Sequence, residues 1–217
     1  MMLQNRVDPF GNIIRTPARG AWMGNRGVIH DEHKTIRRAF KIKAWITCVL
    51  QFKGRHREVM TPNRWTELFF LDEATAFAAG HRPCFECRRE DAVRFKSCWT
   101  KGNPEYGFSV KTPIGEIDKI LHGERIDACG QKVTYEALLQ ELPDGTFIEL
   151  EGRAWLVANG HVHGWTPFGY EKGRALPSGQ RVKVLTPRSV VNAFRAGYIV
   201  QINDRSAEAP VAGTPSN

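Results

Sequence analysis

Cys84 and Cys87, in the run Gly80-His81-Arg82-Pro83-Cys84-Phe85-Glu86-Cys87, carry the clearest chemical signal in the chain. Two thiolates at this spacing can take neighbouring corners of a tetrahedron around Zn2+, with backbone N–H groups of the turn sharing their charge. Further ligands are sought among Cys48, His30, His33, His56 and His81, because neutral imidazole is the usual partner of thiolate on zinc. Cys48 is the first choice. Its place on the apolar face of a strand also suits an inert core thiol. His30 precedes the neighbouring strand, and His56 follows the Gly54 turn with the strand parity of Cys48. A redox disulfide is the other use of C-x-x-C. It calls for a strand-to-helix junction in a βαβ setting, whereas this pair leaves a helix through Gly80 and Arg-Pro.

A second group lies on one helix face. Asp118, His122 and Arg125 fall at i, i+4 and i+7, so a carboxylate could orient an imidazole and raise its basicity. Read as chemistry, this is the acid–base set of a metal-dependent hydrolase or nuclease; read otherwise, it is a solvated helix face. His161 and His163 share one side of an extended segment, although the flanking glycines favour a plain turn. Basic residues gather near the cysteines, and Lys43, Trp45, Lys53, Arg55, Arg88 and Arg89 form a candidate nucleic-acid surface. In that reading Trp45 stacks on an unpaired base; alternatively the N-terminal segment covers it. No phosphate-binding loop, dinucleotide fingerprint, nucleophile elbow or H-E-x-x-H motif occurs.

The run Leu71-Asp72-Glu73-Ala74-Thr75-Ala76-Phe77-Ala78-Ala79-Gly80-His81-Arg82-Pro83-Cys84-Phe85-Glu86-Cys87-Arg88 resembles the end of the zinc-binding domain of Ada-type DNA methylphosphotriester repair proteins. There too, a short helix leads through Ala-Gly, an aromatic residue and Arg-Pro-Cys to a second cysteine. The resemblance implies a four-cysteine zinc site whose final, structural pair matches Cys84 and Cys87. It also implies an upstream cysteine that accepts a methyl group. Of the upstream pair this chain offers only Cys48, so the methyl-acceptor role is not carried over.

The elements that must position these residues read as an α+β fold, with short antiparallel strands and a cysteine knuckle between helices, followed by a small β-rich subdomain. Alternating apolar residues predict a strand over 41–53, and a second apolar run covers 65–71. Asp72 is placed to cap a helix through Ala79, which Gly80 ends in a left-handed turn. Helices are expected over 89–99, with Val93 and Phe95 inward, over 113–126, and from Thr134 to Leu142. Strands follow at 147–150, 154–157 and 181–185, then a brief helix after Pro187 and a strand at 198–202. The expected division is a mixed unit over 1–142, a β-rich subdomain over 143–205 that Trp165, Phe168 and Tyr170 pack, and a disordered tail over 206–217.

Composition bounds the partners. The 217 residues are 41% hydrophobic and 25% charged, as in an ordinary globular chain. A net charge of +8 and a pI near 9.4 favour an anionic partner, DNA or RNA. Five unevenly spaced cysteines do not form a disulfide framework, and no apolar run approaches a membrane span of about 20 residues. The sequence therefore predicts a cytoplasmic, zinc-containing, nucleic-acid-binding protein without a membrane segment, the zinc being mainly structural. An enzyme using the Asp118 face, or a structural adaptor, are the alternatives.

Overall fold

The computed structural model describes residues 2–54, 58–177 and 179–203. Its strands form two six-stranded sheets, joined by four helices, so the α+β expectation holds. In the first sheet β1 (Gln4–Val7), β2 (Ile13–Arg15), β3 (Trp22–Asn25), β4 (Ile46–Cys48), β5 (Leu68–Phe70) and β6 (Arg82–Pro83) run in the order β2-β1-β5-β3-β4-β6. Two of its pairings are parallel, β1 with β5 and β4 with β6; the others are antiparallel. The second sheet is antiparallel throughout. It comprises β7 (Tyr135–Leu138), β8 (Phe147–Leu150), β9 (Arg153–Ala158), β10 (His161–Thr166), β11 (Gly169–Tyr170) and β12 (Arg181–Val184).

Helix α1 (Glu73–Ala78) begins where Asp72 accepts the Thr75 N–H at 2.8 Å. It ends in a paired cap: the Gly80 N–H bonds to Phe77 O and the His81 N–H reaches back to Ala76 O, both at 2.9 Å. Gly80 has φ +85°, and a Cβ there would meet the Arg125 side chain at 2.4 Å. Glycine is thus required both for the turn and for the close approach of α3 (Ile114–Arg125).

The main core packs Phe77 against Phe95 and Trp99 of α2 (Arg89–Gly102), Ile117 and Leu121 of α3, Phe147 and Leu156 of the second sheet, and Phe194 of α4 (Arg188–Arg195). This single cluster spans the boundary expected at residue 142. Strand β7, which precedes that boundary, pairs with β12 in the second sheet. The C-terminal segment also ties back to α1: Glu73 accepts from Tyr198 Oη at 2.7 Å and from the Gln201 N–H at 2.9 Å. Among the described residues the packing is thus continuous across residue 142.

Several local expectations give way to tertiary partners. Residues 135–138 are a strand, not a helix, because the backbone of β12, more than forty residues downstream, offers them a ladder. His161–Thr166 is a strand for the same reason, paired with β9, and the plain turn favoured there is overturned. Residues 198–202 form no strand. Val93 is 52% exposed and Phe168 43% exposed, so neither packs inward as expected, while Tyr170 is buried. The expected tail, 206–217, lies outside the described residues. No helix among the described residues is long and apolar enough to cross a membrane.

Candidate metal centre

Regular structure in the predicted 41–53 strand is confined to Ile46–Cys48. Upstream, the Lys41 and Ile42 N–H groups both bond to Arg26 O, which curls the chain and turns Trp45 inward. What remains of the strand does the positioning. β6 lies parallel to β4 with Ile46 opposite Arg82 and Thr47 opposite Pro83, and the Cys84 N–H continues the ladder to Thr47 O at 2.9 Å. The next residue of each strand is a cysteine, so Cys48 and Cys84 stand side by side. The Arg88 N–H then closes the turn onto Cys84 O at 3.0 Å and brings Cys87 back to them.

The three sulfurs lie within 4.8 Å of one another. Among the described residues this is the one group of three or more His, Cys, Asp or Glu side chains close enough to share an ion. Cys48 and Cys84 are buried and Cys87 is half-buried. The Glu86 N–H points at Cys84 Sγ at 3.4 Å, and the Cys87 and Val49 amides act in the same way on Cys84 and Cys87. Hydrogen bonding from the Cys48 thiol, then from the Cys87 and Glu86 amides, pulls Cys84 down to about 5 against the effect of burial. As the proton donor in that pair, and by burial, Cys48 is pushed far above an ordinary thiol; desolvation, then the charge of Cys84, raises Cys87. One thiolate supported by two thiols can hold a metal ion once the ion displaces the two protons.

The cluster forms part of the wall of a cleft of about 690 Å3. Most of its lining is apolar, from Met23, Ile46, Val59, Trp65 and Phe69 among others, and Asn25, Glu67 and Glu86 supply polar groups. Glu67 is buried and accepts the Met60 N–H at 2.8 Å. Sequence reasoning missed Glu67 because nothing near it in the chain marks it as lining the same cleft as the cysteines.

The other candidates fall elsewhere. His30 is not in the sulfur cluster: its Nδ1 lies 2.6 Å from Thr66 Oγ1 and its Nε2 3.2 Å from Thr61 O, so both ring nitrogens are occupied. His33 is exposed beside Glu32, and His81 is buried against Phe70 and Trp45. His161 and His163 do share a strand, with no third ligand close enough among the described residues. His56 and Arg55 lie outside the described residues.

Asp118, His122 and Arg125 do share a face of α3, but it is no solvated acid–base surface. Asp118 binds Arg82, not His122, with two bonds of 2.8 and 2.7 Å, and both partners are buried. Arg125 is 1% exposed and donates to Gly80 O, Lys43 O and His122 Nδ1. His122 is lowered by burial and by the Arg125 charge, contrary to the expected gain in basicity. The face braces the knuckle against α3.

In the expected nucleic-acid surface, Trp45 is 2% exposed and cannot stack on a base. Arg88 is buried in an ion pair with Glu73 and Asp91, over the Trp22 ring. Lys43, Lys53 and Arg89 are exposed.

Fold and site together define an α+β chain with a three-cysteine centre on a mostly apolar cleft. Comparison with protein-family models, curated proteins and solved structures finds no match.

Proposed function

We propose that Cys48, Cys84 and Cys87 bind Zn2+ as thiolates and leave a fourth position turned to the cleft, where a small, largely apolar molecule is bound and activated. The approach of three sulfurs to within 4.8 Å carries this reading. Three soft donors select Zn2+ over the harder divalent ions, and the Ada-like knuckle supports the same choice. Three protein ligands with one exchangeable position are the pattern of zinc sites that act on substrates, whereas structural sites are closed by four. The cleft beside the sulfurs favours the first pattern over the mainly structural zinc expected from sequence. Zinc there supplies Lewis-acid polarisation of the bound group. The chain supplies apolar walls that exclude water, and Glu67, held by the Met60 amide, supplies a fixed carboxylate.

X-ray absorption at the zinc edge tests this directly. Expected are about one zinc per chain and three sulfurs at about 2.3 Å with one lighter scatterer, unchanged in His56→Ala. Four sulfurs, or a nitrogen shell lost in His56→Ala, would show that the protein closes the site itself.

A second reading, nucleic-acid binding, retains the net charge of +8 and the exposed Lys43, Lys53 and Arg89 as support. It predicts anisotropy changes with labelled DNA or RNA that weaken steeply between low and moderate salt. Flat titrations with both, single- and double-stranded, would remove it.

A further inference from the structure

A second cavity, of about 510 Å3, shares no lining residue with the cysteine cleft. Four cations line it: Arg26, Arg38, Arg125 and Lys132. Arg26 and Arg125 are 2% and 1% exposed, and their guanidinium carbons lie 4.0 and 3.9 Å from the ring of Trp45. None of the four forms an ion pair among the described residues.

The hydrogen bonds that three of them make go to neutral groups. Arg26 reaches Gly11 O at 3.0 Å and His81 Nε2 at 3.3 Å; Arg125 takes the carbonyls and the imidazole described above; Lys132 donates to Ala78 O. Arg26 Nη2 and Arg125 Nε are buried with no partner. Arg26 Nη2 also lies 3.8 Å from where a Cβ on Gly11, another lining residue, would stand. The two carboxylates that act on this group are both bound elsewhere, Asp8 to Asn12 and Asp118 to Arg82.

Gathering like charges, two of them buried, is unfavourable unless something of opposite charge compensates them. The strain registers in the groups themselves. Burial lowers Arg26 to about 9, against the pull of Asp8; burial and then the Arg26 charge lower Arg125 to about 9 and Lys132 to about 7. An oxyanion would satisfy the orphaned N–H groups, which match phosphate oxygens in geometry as well as charge.

We propose that this cavity binds the terminal phosphate of a small phosphorylated molecule, with Arg26 and Arg125 at its floor and Lys132 and Arg38 contributing charge. The burial of the two arginines favours a terminal group over an internal phosphodiester, which carries a substituent on each side. Two guanidinium groups already lie over the buried Trp45 ring, so recognition rests on the phosphate and not on stacking of a base. This site is independent of the zinc reading.

Isothermal titration of the full chain with inorganic phosphate and with pyrophosphate, at constant ionic strength in chloride, tests the proposal. Saturable one-to-one binding is expected, weakened tenfold or more in Lys132→Met and in Arg38→Met. Arg38 is exposed, so its variant keeps the fold if the other does not. Absence of saturable binding by either anion at millimolar concentration, or wild-type affinity in both folded variants, would overturn it. So would a single-stranded oligonucleotide without terminal phosphates that displaced pyrophosphate.

Discussion

Cys84→Ser is expected to lower zinc from about one per chain to less than about a tenth, and to destabilise the protein by about 4 kcal/mol when zinc is held a thousandfold above its dissociation constant. Cys84 is the pivot of the centre. It continues the β4–β6 ladder through its N–H, closes the turn through its carbonyl, and receives the Glu86 amide on sulfur. A hydroxyl there keeps the backbone bonds but removes the strongest donor to a soft ion. Cys48→Ser should behave in the same way, because Cys48 is the third sulfur of the group, whereas Cys98→Ser and Cys129→Ser should retain the metal. Metal content by mass spectrometry and urea unfolding with and without chelator read both effects. Full zinc in Cys84→Ser would refute the centre; full zinc in Cys48→Ser would return that residue to the role of a core thiol.

The second large effect is structural. Asp118→Ala should cost about 3–5 kcal/mol, since it leaves the Arg82 guanidinium buried and uncompensated. The paired variant Arg82→Met with Asp118→Leu should recover most of that loss, because replacing both charges removes the desolvation penalty instead of exposing it. Arg82 is also the strand residue two positions before Cys84, so the single variant should loosen the metal while the pair restores it. Urea unfolding decides: a loss below about 1 kcal/mol for Asp118→Ala would mean that the two bonds brace nothing. A structural loss repaired by the paired variant is the outcome that separates this role from acid–base catalysis, which two apolar residues could not restore.

The knuckle was legible because it is written in consecutive residues. Asp72, Gly80 and the C-x-x-C spacing act within a turn or two of themselves, and α1, its cap and the tight turn follow from them with boundaries shifted by a residue. The third sulfur was half legible. An apolar alternation placed Cys48 on a strand face, yet most of the predicted strand is irregular, and the register of β4 against β6 brings Cys48 to Cys84.

Long-range partners explain the misreadings. Asp118 and His122 are one turn apart, and helical spacing makes them neighbours, but Arg82 captures the carboxylate from another element. Alternation left Trp45 either on a wet face or under the N-terminal segment, and Arg26 of that segment, with Arg125 of α3, covers it. His30 sat near the right strand, but Thr66 and Thr61 already occupied its nitrogens.

By itself, then, the sequence determined a helix, its glycine cap and a pair of thiols spaced for one metal ion, all products of local hydrogen bonding and chain geometry. Only the tertiary structure decided that Cys48 joins the pair, that a mostly apolar cleft opens beside them, and that Arg26, Arg125 and Lys132 gather with no ion pair among the described residues. Those features depend on which distant strands exchange backbone hydrogen bonds and which charges are buried together, and no window along the chain contains both halves of either.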